Sequence, residues 1–280
     1  MHNVHFNTVV EATSRLCREA CFVLEPDVVA ALRKAGEDEV SASGRDILAQ
    51  LQENAAIAAR DDIPVCQDTG IAVVFVDVGQ DLRFTGGILE EAITAGVRDG
   101  YTRGFLRKSV VGDPLTRKNT GDNTPPVIHW RVVAGDRLKI SVVPKGAGSE
   151  NMSALKMLKP AEGLAGAKQF VLDTVSAAGP NPCPPLVVGV GIGGTMEKAA
   201  LLAKEAILRP VGTPNPDPAL AALENDLLAA VNGLGIGPMG LGGRVTALAV
   251  HVLTFATHIA SLPVAVNLNC HAVRHKTVVL

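Results

Sequence analysis

Aromatic side chains are scarce in this chain of 280 residues, where they make up 3% of the total and include one tryptophan and one tyrosine. Hydrophobic residues nevertheless amount to 47%, so the core has to be built mainly from alanine, valine, leucine and isoleucine. Cores of this kind are typical of buried strands that helices cover. The composition therefore predicts an α/β or α+β protein with a mixed sheet and flanking helices, organised as a single unit or as two lobes of one unit.

The chain also lacks an excess of positive charge, since its formal net charge is −2. Nucleic acids and anionic membranes are therefore not expected as partners. Residues 1–5 do not combine a basic start with an apolar run, so no secretory signal is predicted. The longest apolar stretch, residues 247–268, contains two histidines, a proline and an asparagine, which disfavours a membrane span. The resulting prediction is a cytoplasmic protein.

Cysteine is infrequent, and its five positions contain no Cys-x-x-Cys pair. An odd number of cysteines without a secretory signal argues against disulfides. Cys17 and Cys21 lie four residues apart in a segment whose apolar positions follow a helical period. A metal-binding pair is one interpretation, but packing in the core is favoured because free cysteine behaves as a small hydrophobic residue.

The other three cysteines stand in unusual settings. Cys66 precedes an apolar run, Cys183 lies between prolines, and Cys270 ends an apolar run. They are separated by 117 residues (183 − 66) and by 87 residues (270 − 183), so spacing alone does not identify a metal motif. Each lies where a loop meets a predicted strand, a position from which rigid backbone can orient a thiolate. On these residues alone, a shared metal site and three unrelated core cysteines both remain open.

Polar residues suited to acid–base chemistry adjoin the first of these cysteines. Gln67 could hydrogen-bond a substrate and Asp68 could carry a proton, although an aspartate here also suits an ordinary Asx turn. Arg107 is a candidate clamp for a substrate carboxylate, because guanidinium binds carboxylate through two parallel hydrogen bonds. Three further cations are weaker candidates, for which solvation at the surface is the favoured role: Arg117, Lys118 and Lys145.

Apolar periodicity predicts helices over residues 152–157 and 246–259. The second helix would place His251 and His258 on one face, where a core role is favoured over a catalytic one. Residues 134–136 are predicted to form a hairpin turn between two strands.

One glycine pattern resembles a dinucleotide-binding site but lacks the rest of that motif. Gly189, Gly191 and Gly194 fit G-x-G-x-x-G between a predicted strand and a predicted helix. That fingerprint requires a second strand ending in an acidic residue about 20 residues later, but the corresponding region here is the interior of a helix. The remaining inference is that backbone N–H groups at the start of this helix favour an anion such as a carboxylate.

Seven motifs, found in the following order, carry a resemblance to a known family: Cys66-Gln-Asp-Thr-Gly70, Arg117-Lys-Asn-Thr-Gly-Asp-Asn123, Lys145-Gly-Ala-Gly-Ser149, Asn181-Pro-Cys-Pro-Pro185, Gly189-Val-Gly-Ile-Gly-Gly194, Gly237-Pro-Met-Gly-Leu-Gly-Gly243 and Asn267-Leu-Asn-Cys-His271. Together they resemble the class I, iron–sulfur fumarate hydratases from about residue 10 to the C-terminus. More narrowly, the chain is similar to the alpha subunit of the two-subunit form, a family shared with L(+)-tartrate dehydratase.

The resemblance implies a 4Fe-4S cluster held by Cys66, Cys183 and Cys270, with one iron open to substrate. An iron that lacks a protein ligand can act as a Lewis acid. Substrate contacts are implied for five residues: Gln67, Asp68, Arg107, Gly146 and Gly148. Asp68 is also implied to assist proton movement. Ala147 departs from the Lys-Gly-Gly-Gly-Ser sequence that is frequent in the family.

The reaction implied by the resemblance is the reversible hydration of fumarate, a small dicarboxylate, to L-malate. The alternative substrates are L(+)-tartrate, dehydrated to oxaloacetate, and mesaconate. Residues 1–280 are expected to form the alpha, N-terminal catalytic domain without the family's C-terminal beta domain. A separate beta subunit is therefore expected, in a heterotetramer of two alpha and two beta chains. The alternative from another class is a non-catalytic iron–sulfur or zinc subunit that acts as a scaffold or sensor.

Overall fold

The computed structural model describes residues 2–280. Its α-helices are α1 (Phe6–Phe22), α2 (Pro26–Asp38), α3 (Ala42–Asp61), α4 (Leu89–Arg103), α5 (Ala147–Glu150), α6 (Gly163–Ala178), α7 (Met196–Ala206) and α8 (Pro218–Asn232). Its strands are β1 (Asn3–His5), β2 (Ile71–Gly79), β3 (Arg83–Thr85), β4 (Val127–Val133), β5 (Leu138–Lys145), β6 (Ala154–Leu158), β7 (Leu186–Gly193), β8 (Ala247–Phe255), β9 (Leu262–Asn269) and β10 (Lys276–Val279). Within residues 2–280, no helix is both long enough and apolar enough to cross a membrane. The mixture of helices and mixed sheets confirms the predicted fold class.

The chain divides into two compact units. The first unit comprises the residues up to Glu25 together with Ala55–Ala147 and Arg274–Leu280. The second unit comprises Pro26–Asn54 and Gly148–Val273. Each unit therefore draws on segments that are distant in sequence.

The first unit is built on a four-stranded sheet in the order β10-β5-β2-β4. Strands β2 and β4 run parallel, whereas β5 is antiparallel to both β2 and β10. Residues of β2 whose side chains point to one face, including Val74 and Val76, join the core with Leu16 of α1 and with Ile93 and Tyr101 of α4. Helices α1 and α4 therefore cover this sheet, which holds β2 and the turn before it in place.

The second unit is built on another four-stranded sheet, in the order β6-β9-β7-β8. Strands β7 and β8 are parallel, and β9 is antiparallel to β6 and β7. Val264 and Val266 of β9 pack with residues of α6 and α8, whereas Ala265 packs with Ala199 and Ala203 of α7. Because successive strand residues point to opposite faces, α6 and α8 cover one face of the sheet and α7 covers the other.

The glycine pattern of β7 serves the packing of α7 against the sheet. A Cβ atom at Gly189 would lie 2.1 Å from the carbonyl oxygen of Ala203, and one at Gly191 would lie 2.1 Å from that of Ala199. Any side chain at these two positions would therefore push the helix away from the strand. This contact accounts for two of the three glycines of the apparent dinucleotide fingerprint without a nucleotide.

We predict that Gly191→Ala destabilises the protein by about 3 kcal/mol, because the added methyl group would overpack the interface between β7 and α7. The matched control is Gly36→Ala in α2, where the Cβ position is 3.5 Å from its nearest neighbour, Nε2 of Gln52. Alanine is the better helix former, so this control should stabilise by about 0.5 kcal/mol. Urea unfolding followed by circular dichroism checks both signs, and equal effects would contradict the packing argument.

Three predictions of local structure were wrong. Within residues 152–157, residues 154–157 belong to strand β6, and most of residues 246–259 form strand β8. Strand β8 pairs with β7 along its whole length, so tertiary pairing outweighed the apparent helical period. Residues 134–136 do not close a hairpin, because β4 and β5 both pair with β2 and lie on either side of it.

Candidate active site

The turn before β2 fixes the Asp68 carboxylate from two directions. Its Oδ1 accepts the Gly70 N–H at 3.0 Å, and its Oδ2 accepts the Ala147 N–H at 2.8 Å. Nη1 of Arg274 donates to the backbone carbonyl of Asp68 at 2.7 Å. The bond to Gly70 is the one that an Asx turn makes, so this structural role is real. The bond to Ala147 orients the same carboxylate toward residues 145–149, which we call the glycine loop.

The glycine loop approaches Asp68 closely at Gly146. A Cβ atom at Gly146 would lie 3.1 Å from Oδ2 of Asp68, so a larger residue would crowd the carboxylate. The structure thus brings together two of the predicted site residues in the first unit. Gly148, which belongs to the second unit, is exposed.

Arg107 is held next to the same turn through its backbone. The Thr69 hydroxyl donates to the Arg107 carbonyl at 2.9 Å, and the buried Tyr101 hydroxyl donates to the Thr69 carbonyl at 2.7 Å. The guanidinium group of Arg107 is exposed, as is the side chain of Gln67. Both side chains therefore remain accessible to a ligand in solution.

The polar motif of residues 117–123 supports this arrangement. The Asn123 side-chain amide donates to the Gly70 carbonyl at 3.1 Å, and its Oδ1 accepts the Ser109 N–H at 2.7 Å. Asn123 is fully buried. Burial would raise the pKa of neighbouring Asp122, but hydrogen bonds from Arg98 and Thr124 outweigh it and lower the pKa to about 2. A charged Asp122 thus joins this loop to Arg98 of α4.

In the second unit, two cysteine-bearing loops are joined by their backbones. Cys183 adopts a left-handed conformation with φ of 56°, which is uncommon for a residue other than glycine. The His271 N–H donates to the Cys183 carbonyl at 3.4 Å, so the loop that carries Cys270 lies beside the loop that carries Cys183. Cys270 Sγ is 3.8 Å from the Ala272 carbonyl oxygen, and Cys183 Sγ is 4.0 Å from that of Asn181.

The five cysteines fall into two groups by their environment. All of them lie in the described part of the chain and none forms a disulfide. Cys17 and Cys21 are buried, as predicted. Burial raises the pKa of both thiols, to about 11 for Cys21. The remaining three are the ones predicted as ligands, and each is at least partly exposed: Cys66, Cys183 and Cys270.

The donor chemistry of these three cysteines fits an iron–sulfur cluster. They are thiols outside disulfides, they are at least partly exposed, and each is carried by a loop at the end of a strand; cysteine thiolates are the usual ligands of such clusters. Across residues 2–280, no three His, Cys, Asp or Glu side chains are grouped so that they could hold a single metal ion.

Two buried cations were missed or misjudged from the sequence. Arg274 is 3% exposed and contacts the Asp68 turn, and Lys145 is 1% exposed. The prediction of a surface role for Lys145 is therefore wrong, whereas Arg117 and Lys118 are exposed as predicted. In the sequence, only the position of Arg274 four residues after Cys270 pointed to it, and its burial and partner are visible in the structure alone.

The two histidines do not share a helix face. His251 lies in strand β8, and His258 lies exposed in the loop after it. The ring Nδ1 of His251 is 3.1 Å from the Ala206 carbonyl. The pKa of His251 falls to about 4 because burial disfavours the charged ring and nearby Arg209 adds to the effect. A core role for His251 fits this environment.

The neutral state of His251 predicts a pH dependence of stability. Between pH 4 and pH 6.5 the unfolded chain binds a proton that the folded protein excludes, so stability should fall as the pH is lowered through this range. The shift corresponds to about 3 kcal/mol. His251→Asn keeps a donor for the Ala206 carbonyl and removes the titration. Urea unfolding at pH 4.5 and 7 should show a smaller pH effect in this variant, and an unchanged effect would refute the assignment.

Comparison with known proteins adds to this geometry. A family model described as fumarate hydratase (fumerase) matches residues 10–279. A chain from Methanocaldococcus jannaschii that bears the provisional name L(+)-tartrate dehydratase subunit alpha is 44% identical over 273 residues, which cover 95% of each chain. The L(+)-tartrate dehydratase subunit alpha of Escherichia coli K12 is 36% identical over 257 residues, covering 91% of this chain and 84% of the relative.

Proposed function

Because the chain belongs to the fumarate hydratase family and is a hydro-lyase, we propose that it catalyses the reversible hydration of fumarate to L-malate. The observation that carries the proposal is the Asp68 carboxylate, which two backbone N–H groups hold in one orientation within two residues of the accessible thiol of Cys66. A fixed carboxylate beside a potential metal ligand is the arrangement that proton transfer next to a Lewis acid needs.

We propose that Cys66, Cys183 and Cys270 hold a 4Fe-4S cluster. Such a cluster, when bound, supplies a Lewis acid that makes hydroxide a better leaving group. The support for this assignment is the contrast between these accessible thiols and the buried, protonated thiols of Cys17 and Cys21.

The remaining roles in the proposal fall to residues of the Asp68 turn and its neighbours. In the dehydration direction, Asp68 would accept the proton from the carbon next to the one that loses hydroxide, and it would return that proton during hydration. Arg107 would bind a substrate carboxylate, and Gln67 would donate a hydrogen bond to the substrate. The backbone N–H groups at Gly146 and Gly148 would face the substrate as further donors.

The active form is proposed to contain a second chain. Two relatives are named as subunit alpha of L(+)-tartrate dehydratase, and such a name implies at least one other kind of subunit. We infer a beta subunit that completes the site, in a heterotetramer with two chains of each kind. The names of these relatives also make L(+)-tartrate the second candidate substrate, with oxaloacetate as the product.

Turnover of the complete complex tests the proposal. The chain is purified with its beta partner, supplied with iron and sulfide without oxygen, and offered fumarate, L(+)-tartrate and mesaconate separately. The highest kcat/KM on fumarate supports the proposal, and the highest value on tartrate replaces its substrate while retaining its chemistry. A complex that binds iron and sulfide but turns over none of the three acids would identify a scaffold or sensor instead.

A further inference from the structure

We infer that Glu39 is a positioning residue for Cys183, acting through the loop Gly237–Arg244, which we call the glycine-rich strap. The inference rests on the proposed function, because the role of Cys183 as a cluster ligand belongs to that proposal. All the residues involved lie in the second unit.

Glu39 is a buried carboxylate that gathers backbone donors from two distant segments. It is 2% exposed. Its Oε1 accepts the N–H groups of the adjacent Val40 and Ser41 at 2.8 and 2.9 Å. Both of its oxygens lie 2.9 Å from the backbone nitrogen of Arg244, and Oε2 accepts the Val245 N–H at 2.8 Å. The contacts with Arg244 and Val245 span more than 200 residues of sequence, so they do more than cap the local turn.

These bonds keep the carboxylate charged despite its burial. Burial on its own would raise the pKa of Glu39, but the N–H donors of Ser41, Arg244, Val245 and Val40 together lower it below its ordinary value. Hydrogen bonds to a charged acceptor are about twice as strong as those between neutral groups. The end of the glycine-rich strap is therefore anchored firmly at Glu39.

The other side of the strap rests directly on the loop that carries Cys183. The Met239 N–H donates to the Pro184 carbonyl at 2.9 Å. A Cβ atom at Gly240 would lie 2.3 Å from Cβ of Pro180, so the two loops pack with no space for a side chain at position 240. Within its own loop, the Cys183 N–H donates to the Pro180 carbonyl at 3.0 Å. Fixing the strap thus fixes the backbone on both sides of Cys183.

The physical consequence is a ligand loop whose conformation depends on a carboxylate outside the site. Cys183 is exposed and has a left-handed backbone, so neither burial nor intrinsic preference holds it in place. One constraint comes from Pro180 and Pro184, and through them from the strap; the His271 N–H adds a second contact at the Cys183 carbonyl. Glu39 itself touches no atom of Cys183 in the contacts described and acts only through these residues.

The test uses Glu39→Gln and a matched control, Glu224→Gln. Glutamine at position 39 keeps one acceptor oxygen but turns the other into a donor that faces backbone N–H groups. Glu224 is also a buried carboxylate of the second unit and accepts the Val252 N–H at 2.7 Å, together with side-chain donors. It makes no described contact with the strap or with the Cys183 loop, so its replacement reports the general cost of losing such a group.

Amide hydrogen exchange of the iron-free chain is the first measurement. Glu39→Gln should speed the exchange of the Arg244, Val245, Met239 and Cys183 amides by about tenfold, because each opening of the strap releases the loop beneath it. Glu224→Gln should leave these four amides within about twofold of the original protein. Faster exchange at Arg244 and Val245 alone, with Met239 and Cys183 unchanged, would overturn the inference.

Iron retention is the second measurement, on the complex with its beta partner after anaerobic reconstitution. Glu39→Gln should release iron to a chelator about tenfold faster than Glu224→Gln does, even where the two variants unfold at the same urea concentration. Equal release rates would overturn the inference. Cys183→Ser in the same assay tests the proposed function separately: iron retained by that variant would refute the ligand assignment, whereas the exchange data would still show whether Glu39 holds the loop.

Discussion

Replacing Cys183 with serine should abolish both the iron–sulfur absorbance and the hydratase activity of the reconstituted complex. A serine hydroxyl stays protonated near neutral pH and is a poor ligand for iron, whereas a cysteine thiolate is the standard ligand of such clusters. With Cys66 and Cys270 alone, the cluster would keep two of its three proposed protein ligands. We expect activity to fall by at least about 10³-fold, because no other group of the site is proposed to activate the leaving hydroxide.

Cys17→Ala is the control for this experiment. Cys17 is fully buried and its pKa is raised by burial and by neighbouring Cys21, so it serves the core and not the metal. Its replacement should leave the iron–sulfur absorbance and the turnover intact, with a stability cost of about 1 kcal/mol. Full activity after Cys183→Ser, or loss of the cluster after Cys17→Ala in a folded protein, would contradict the assignment of the ligands.

Asp68→Asn should lower kcat by about 10³-fold, since general acid–base groups contribute about 10²–10⁴ to the rate. Asparagine keeps an oxygen that can accept the Gly70 N–H, so the turn before β2 should survive, while its amide nitrogen loses the hydrogen bond from the Ala147 N–H. Its amide group cannot take up a proton from the substrate carbon. Initial rates of fumarate hydration, together with the iron content of each preparation, separate a loss of chemistry from a loss of the cluster.

Asp77→Asn provides the matched control in the same unit. Asp77 lies on β2, pairs with Arg131 through a 2.8 Å contact and is mostly buried. It makes no described contact with the Asp68 turn. The control should therefore retain kcat, with a modest loss of stability. If Asp68→Asn retained the rate of the unaltered enzyme with its cluster in place, Asp68 would have only the structural role of forming its Asx turn.

The sequence was sufficient for elements whose hydrophobic pattern has a single interpretation. The segment of helical period that holds Cys17 and Cys21 forms α1, and the strands predicted beside Cys66, Cys183 and Cys270 are β2, β7 and β9. Strand β8 was mistaken for a helix because both of its faces are largely buried along Ala247–Val252, so the alternation that identifies a strand disappears. The hairpin error has a related cause: β4 and β5 follow one another in sequence, but each pairs with β2.

In the candidate site, too, the sequence predicts contacts between near neighbours but not contacts between residues far apart in the chain. The Asx turn at Asp68 could be foreseen because its partner, Gly70, is two residues away. The bond between His271 and Cys183 joins residues 88 apart, and no local pattern encodes it. Burial of Lys145 likewise depends on packing that forms only in the folded chain. The sequence predicts which residues carry the proposed chemistry, and the structure shows which backbone groups hold them.

The division of the thiols has a practical consequence for anyone who prepares this protein. Cys17 and Cys21 are buried away from solvent and stay protonated well above neutral pH. A water-soluble thiol reagent should therefore react only with the other three cysteines while the fold is intact. Those three are also the ones that a bound cluster would mask. If the proposed cluster binds there, the number of reactive sulfhydryl groups per native chain, between three and zero, measures the fraction of molecules that carry it.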